Sequence, residues 1–363
     1  MRQLGFARPA LALALLLPML QMAACAGPGY YAQAVSGHLG LMRARQEIAE
    51  ILATGDADPE LARKLELAGQ LREFAAVRLD LPDNGSFTHF VRTGRDAVTW
   101  NVVATPELSL EPRRWCFVVA GCVPYRGYFQ HTAARTFANR LAADGLDVAV
   151  SPAVAYSTLG WFDDPLLDTM LRHSDEGLAA LMFHELAHQK LYLRGDTAFN
   201  ESYASFVEEI GVTLWLQSSS REDRLKEWRD QRRAAGQFDD LLLQARSSLA
   251  GLYAGHSSDD QKRRGKTDIF GRLETEYRYL VDDQWQGRDF FGNWFGVGLN
   301  NARLALFASY RGGVCAFSAL YLDAGRDMAR FHQQAAEWAG ATPDVRRDWL
   351  QRPCPTVASP VDL

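Results

Sequence analysis

Two histidines four residues apart, inside an apolar helical segment, constrain this chain more than any other feature. Residues 178–193 are predicted to form a helix with one apolar face, and His-Glu-Leu-Ala-His occupies 184–188. Side chains four apart on a helix lie one turn above each other, so both imidazoles can bind one metal ion. Glu185 would then reach a metal-bound water rather than the metal. The alternative is two ordinary helix histidines beside a surface glutamate.

Glu201 is the candidate for the third ligand. A catalytic zinc has three protein ligands and one open position. Glu201 follows His188 by 13 residues, and a turn at 194–196 would let a second helix fold back with Glu201 facing the histidines. Glu208, two turns further along the same face, would hydrogen-bond to a ligand histidine and fix its tautomer. The alternative for Glu208 and Glu209 is a solvated acidic pair.

The same two segments carry a resemblance to a known group of enzymes. Residues 184–189 read His-Glu-Leu-Ala-His-Gln, and residues 199–208 read Phe-Asn-Glu-Ser-Tyr-Ala-Ser-Phe-Val-Glu. Together they resemble the zinc aminopeptidases of the gluzincin clan, whose second block reads Leu-Asn-Glu-Gly-Phe-Ala and is followed by another Glu. The spacer between the two blocks is shorter here. This resemblance implies a zincin-like metallopeptidase core and hydrolysis of peptide bonds, with aminopeptidase activity.

The resemblance also implies a role for each matching residue. His184, His188 and Glu201 would bind one Zn²⁺ ion, while Glu185 would be the general base that passes a proton from water to the leaving amine. Tyr310, within Ser-Tyr-Arg-Gly-Gly at 309–313, resembles the tyrosine that stabilises the oxyanion in those enzymes. Manganese, cobalt and iron stay open as alternatives to zinc. Four other tyrosines are alternatives to Tyr310: Tyr253, Tyr277, Tyr279 and Tyr321.

A segment upstream of the first histidine is predicted to bind the substrate backbone. Gluzincins have an edge strand at this position, and strand addition gives affinity through main-chain hydrogen bonds. Asp163 and Asp164 are candidates for the carboxylate that binds the free amine of a substrate, or else for helix N-caps before Pro165. The predicted substrate strand consists of Tyr156, Ser157, Thr158, Leu159 and Gly160.

The N-terminus predicts export and lipidation. An apolar run at 11–20 is too short to span a bilayer and fits a signal peptide over 1–24. Met-Ala-Ala-Cys at 22–25 resembles a bacterial lipobox, so Cys25 would be lipidated and would anchor the chain to a membrane. Ala26 rather than Asp after the cysteine predicts the outer membrane of the bacterial cell envelope, with the catalytic part in the periplasm. The alternative is a plain secretory signal.

Four further cysteines are consistent with an oxidising compartment. Cys116 and Cys122 are close enough to close a short loop, which leaves Cys315 and Cys354 as the second pair. Three pairings remain possible, as do four buried free thiols. The whole mature chain also resembles a family of bacterial lipoproteins predicted to be aminopeptidases. The segments that carry this second resemblance are 121–128, 156–165 and 299–303.

Hydrophobic periodicity predicts an α+β, mostly helical fold. An N-terminal helical hairpin is predicted within 30–78, broken at 55–59, with Asp58 as N-cap and Pro59 as the first helical residue. A long charged helix at 221–249 is predicted to present a solvated face. Strand patterns at 98–104, 115–120 and 147–156, with a helix at 128–143 between them, predict a small sheet. The predicted regions are 1–24 (signal peptide), 26–95 (N-terminal helices), 96–220 (sheet and zinc-binding helices) and 221–363 (C-terminal helices).

The net charge and the predicted lipid anchor indicate which classes of molecule this protein binds. A formal net charge of −5 argues against nucleic acid, which needs a basic patch. The predicted partners are therefore a peptide substrate and, through the lipid anchor, a membrane; no feature indicates an oligomeric state. Two alternative functions stay open: a periplasmic zinc endopeptidase or amidase acting on cell-wall peptides, and a non-catalytic zinc-binding envelope lipoprotein.

Overall fold

The structure is a computed structural model in which the described part of the chain is mostly helical with small sheets, which confirms the predicted α+β class. Cys25 and the predicted signal peptide lie outside the described residues, as do Tyr156, Leu159, Gly160 and Tyr310. No helix in the described part is both long enough and apolar enough to cross a membrane. The described residues are 27–117, 121–155, 157–158, 162–219, 221–296, 298–305 and 313–355.

Helices and strands alternate in the first half, and helices dominate the second. The strands are β1 (Gln46–Glu47), β2 (His89–Val91), β3 (Thr99–Pro106), β4 (Trp115–Phe117), β5 (Gly121–Val123), β6 (Arg126–Tyr128), β7 (Leu146–Ala153) and β8 (Leu166–Leu167). The helices are α1 (Pro28–Arg43), α2 (Ile48–Thr54), α3 (Pro59–Leu79), α4 (His131–Ala143), α5 (Asp168–Leu171), α6 (Asp175–Lys190), α7 (Thr197–Ser218), α8 (Glu222–Ala254), α9 (Asp259–Tyr279), α10 (Gly292–Phe295), α11 (Val314–Asp323), α12 (Met328–Ala339) and α13 (Pro343–Leu350).

A three-stranded antiparallel sheet of order β6-β3-β7 forms one wall of the cleft that His184 and His188 also line. Asn101 in β3 lies opposite Gly127 in β6 and Ser151 in β7. Val102 and Ala104 point to the face that packs on α4. Because side chains alternate along a strand, Asn101 points to the other face, towards the cleft.

The N-terminal helices differ from the predicted hairpin. Helix α3 begins as predicted, since the Asp58 carboxylate accepts hydrogen bonds from the backbone of Glu60 and Leu61, and Pro59 is the first helical residue. However, β1 and α2 separate it from α1, and the two long helices pack on different parts of the molecule. Helix α3 packs on α6 in the largest hydrophobic core that the described residues form, whereas the Gln33 side chain of α1 hydrogen-bonds to the backbone at the end of β6. Helix α3 does not pair with α1 because its own apolar side chains are fully buried against α6 and α7.

Helices α6 and α7 are antiparallel, as the turn predicted at 194–196 requires. Phe183 lies beside Gly211, and His188 lies beside Glu201, so the two helices run in opposite directions. A Cβ at Gly211 would come within 2.8 Å of the Phe183 ring, and glycine therefore allows this close approach. The Asn200 side chain closes the turn, because its amide oxygen accepts from the backbone N–H of Leu193 at 2.7 Å and its amide nitrogen donates to the Leu193 carbonyl at 2.8 Å.

Both suggested cysteine pairs are disulfide-bonded. Cys116 and Cys122 lie opposite each other in the β4–β5 hairpin, and Cys315 in α11 bonds to Cys354 after α13. The hairpin is tied to the α6–α7 turn by Arg114, whose guanidinium donates to the carbonyl oxygens of Cys122 (2.6 Å) and Gly195 (2.9 Å). The disulfide and this arginine together fix the hairpin against the helices that carry the candidate ligands.

Candidate metal centre and cleft

The three predicted ligands converge. The Nε2 atoms of His184 and His188 are 3.2 Å apart, and the Glu201 carboxylate lies 3.4 Å from the first and 3.7 Å from the second. Ligand atoms about 2.0–2.2 Å from a tetrahedral zinc are roughly 3.3–3.6 Å apart, so these spacings suit such an ion. The set His184, His188 and Glu201 can therefore hold a metal ion.

Glu208, Glu209 and Arg232 form a second group of charged side chains next to His184. Its Nδ1 lies 3.1 Å from a Glu208 carboxylate oxygen, so Nδ1–H donates to Glu208 and Nε2 is left free for a metal. Arg232 of α8 lies 3.5 Å from the other Glu208 oxygen and 2.9 Å from the Glu209 carboxylate. The alternative of a solvated acidic pair therefore fails for Glu208 and Glu209, because both pair with Arg232, whose side chain is only 12% exposed. The predicted solvated face of α8 is present, since most of the charged residues of this helix are exposed, and Arg232 is an exception.

The electrostatics of the group favour a bound cation. Burial opposes ionisation of Glu201, but His188 and His184 outweigh it and lower its pKa to about 2. Burial also disfavours a charged His184, yet its hydrogen bonds to Glu201 and Glu208 raise its pKa well above the usual value. The same carboxylates that stabilise an imidazolium would stabilise a metal cation in its place.

Glu185 shares a cavity with the three candidate ligands. The cavity has a volume of about 380 Å³ and lies between α6, α7, the β3 face of the sheet and the N-terminal part of α1. Burial raises the pKa of Glu185, although His184 and His188 partly counteract it. A carboxylate whose pKa is shifted upward, towards pH 7, is suited to accept and return a proton.

Tyr125, which the sequence did not single out, also lines this cavity. Tyr125 lies in the connection between β5 and β6, and its ring packs against Val103, Ala149 and Ala302. Burial, followed by the Glu201 carboxylate, raises the pKa of Tyr125, so its hydroxyl stays a hydrogen-bond donor. The only sequence signal was its place within 121–128, one of the segments that resemble the lipoprotein family.

Tyr192 and Tyr30 also line the cavity, and neither had been predicted to do so. Tyr192 is the one beside the candidate ligand His188. Burial and the nearby Glu201 raise its pKa. The four alternatives to Tyr310 lie elsewhere: Tyr253 donates to Asn301, Tyr277 bonds to Asp289, Tyr279 is exposed, and Tyr321 packs on Phe206.

The structure describes two residues of the predicted substrate strand, and neither lies in a strand, although Ser157 lines the cavity; their binding of substrate stays a prediction. Strand β7 ends at Ala153, and Ser157 and Thr158 lie in the loop that follows. Asp164 holds this loop, because its carboxylate accepts from the Thr158 backbone and hydroxyl, the Ser157 hydroxyl and the Gln189 amide. Asp164 is 1% exposed and precedes a strand rather than a helix, so its role is to fold the loop and not to cap a helix.

The fold and the site together define an α+β protein with a histidine–glutamate group suited to a metal. The chain matches, over residues 29–350, a family model described as "Putative aminopeptidase", and it belongs to that family. This membership supports a peptidase. No curated protein and no solved structure matches the chain.

Proposed function

We propose that this protein is a zinc-dependent peptidase with a gluzincin-like ligand set, and that it acts as an aminopeptidase. One observation carries the proposal: the ligand atoms of His184, His188 and Glu201 lie within 4.8 Å of one another, in the cavity that also contains Glu185. The family description supports the aminopeptidase activity. The ligand set supports zinc, because two histidines and a glutamate leave one position for water.

Different residues of the chain have different roles in hydrolysis. A zinc ion held by His184, His188 and Glu201 would supply Lewis acidity to the scissile carbonyl and to water. Glu185 accepts the proton of the attacking water and returns it to the leaving amine. Tyr125 donates its hydroxyl hydrogen to the carbonyl oxygen as negative charge develops there.

A second candidate is an endopeptidase or amidase that accepts N-blocked peptides. The observation in its favour is the position of Asp164, whose oxygens accept hydrogen bonds from Thr158, Ser157 and Gln189. Asp164 is therefore occupied within the loop and does not offer a carboxylate to the free amine of a substrate. Internal or blocked peptide bonds do not need such a carboxylate.

We also propose that the chain is a lipoprotein anchored through Cys25 in the outer membrane, with the catalytic part in the periplasm. The lipobox-like sequence supports this location. The disulfides Cys116–Cys122 and Cys315–Cys354 support export, because disulfides persist in oxidising compartments. Mass spectrometry of the N-terminal peptide would test the anchor: a diacylglyceryl group on Cys25 supports it, and an unmodified N-terminus refutes it.

The test of function uses free-amine and N-acetylated peptides with the purified wild-type chain and its Glu185→Gln variant. We expect the wild type to cleave free-amine peptides, and the variant to keep its zinc while losing roughly 10²–10⁴-fold in kcat, the usual contribution of a general base. Glu66→Gln, a change at an exposed position of α3, is the matched control and should be fully active. Cleavage of acetylated peptides alone would favour the second candidate. Bound zinc without turnover of any peptide would favour a non-catalytic protein.

A further inference from the structure

Helix α1 forms one wall of the cleft. Tyr30 and Ala34 are one helical turn apart, and both line the cavity that contains Glu185. The Gln33 side chain holds the helix in place, because its amide accepts from the Phe129 backbone N–H at 3.0 Å and donates to the Gly127 carbonyl at 3.4 Å. The wall is therefore fixed by hydrogen bonds to the end of β6 as well as by packing.

The wall is apolar and largely aromatic. The rings of Tyr30 and Phe117 have centroids 5.4 Å apart, and Val123 and Phe129 continue the same cavity surface. Arg126 covers the Tyr30 ring with its guanidinium 4.1 Å from the ring centroid. We call Tyr30, Ala34, Phe117, Val123 and Phe129 the aromatic wall; none of its members carries a formal charge.

The aromatic wall adjoins the candidate reaction centre through Tyr125. Tyr125, Glu185 and Glu201 line the same cavity as Tyr30. A peptide whose scissile carbonyl faces Glu185 and Tyr125 would therefore direct a neighbouring side chain towards Tyr30. The burial of an apolar side chain against such a surface stabilises a complex, whereas the burial of a charged one is costly.

We propose that the aromatic wall is a binding subsite for an aromatic or large aliphatic side chain of the peptide substrate. This inference rests on the proposed function, whose substrate class it specifies. The substrates are accordingly peptides with an apolar residue next to the cleaved bond, and helix α1 supplies part of the selectivity.

Binding to the zinc-loaded Glu185→Gln variant tests the subsite without turnover. The probes are tetra-alanine and the four peptides in which one alanine is replaced by phenylalanine, with dissociation constants measured by calorimetry. We expect at least one phenylalanine peptide to bind about 10-fold more tightly than tetra-alanine, a conservative figure for burying such a ring. Ala34→Leu, added to this variant, fills the subsite and should remove the preference. Ala32→Leu, at an exposed position of the same helix, should keep it.

The outcomes separate the subsite from the catalytic proposal. If a phenylalanine peptide binds preferentially but the wild type hydrolyses no peptide, the subsite stands and the proposed function fails. If the wild type hydrolyses peptides but all five probes bind equally, the subsite is refuted. Phe117→Ala provides a second route should Ala34→Leu fail to fold, because it removes the ring that packs beside Tyr30 and should also reduce the preference. An unchanged preference in a folded Ala34→Leu or Phe117→Ala protein would overturn the inference.

Discussion

Glu208 should control the affinity of the metal centre without touching the metal. Its carboxylate accepts the Nδ1–H hydrogen bond of His184 at 3.1 Å. Glu208→Gln keeps an acceptor but loses the charge, and a charged hydrogen bond exceeds a neutral one by about 1–1.5 kcal/mol. The zinc dissociation constant should therefore rise roughly 10-fold. Glu208→Ala removes the whole interaction and should raise it up to about 100-fold, the upper range for a residue that orients a metal ligand.

The assay for Glu208 is competition for zinc with a chromogenic chelator at fixed pH and ionic strength. Glu66→Ala, an exposed glutamate of α3, is the control and should leave the dissociation constant unchanged. Circular dichroism of each variant with saturating zinc checks that the helices remain intact. If both Glu208 variants bind zinc within about twofold of the wild type, the supposed coupling of Glu208 to the metal through His184 is refuted.

Three further predictions concern hydroxyl donation, pH and the helix turn. Tyr125→Phe should lower kcat by roughly 10²–10³-fold at unchanged zinc content, and an unaltered kcat would exclude Tyr125 from the reaction. Burial lowers the pKa of His332 from 6.5 to about 4, so its neutral form stabilises the fold above pH 6.5 and this stability is lost as the pH falls towards 4. Urea unfolding in chelator should show about 2 kcal/mol more loss between pH 7 and pH 5 for the wild type than for His332→Gln; equal losses would contradict this. Asn200→Ala removes both hydrogen bonds to the Leu193 backbone and should reduce the free energy of unfolding by about 2–3 kcal/mol; a loss below about 0.5 kcal/mol would show that they do not stabilise the turn.

The local parts of the site could be predicted from the sequence. The four-residue spacing of His184 and His188 is a property of one helix, and the turn before Glu201 carries a glycine at 195 with a φ of +83°. The start of helix α3 could also be predicted, because an N-cap at Asp58 and a proline at the first helical position form a signal within one turn. In each case the residues that make the structure are close together along the chain.

The parts that depend on distant contacts could not be predicted. Tyr125 and Tyr30 reach the cleft because the β5–β6 connection and α1, which Gln33 holds at the end of β6, line the same cavity as α6, and periodicity carries no information on that packing. Arg232 looks like one more charge on a solvated helix, yet its side chain is only 12% exposed and pairs with Glu208 and Glu209. The loop after β7 was predicted to be a strand because gluzincins have one at this position, whereas here Asp164 holds Ser157 and Thr158 in a loop through hydrogen bonds.

The most direct test of the central claim is the metal content of the wild-type chain beside that of His188→Ala. Both proteins would be loaded with zinc, passed through metal-free buffer and subjected to elemental analysis. We predict one zinc ion per wild-type chain and a large loss from the variant, because His188 Nε2 is one of three converging ligand atoms. A wild-type chain that retains no metal, or a variant that retains as much zinc as the wild type, would contradict the assignment of His184, His188 and Glu201 as the metal centre.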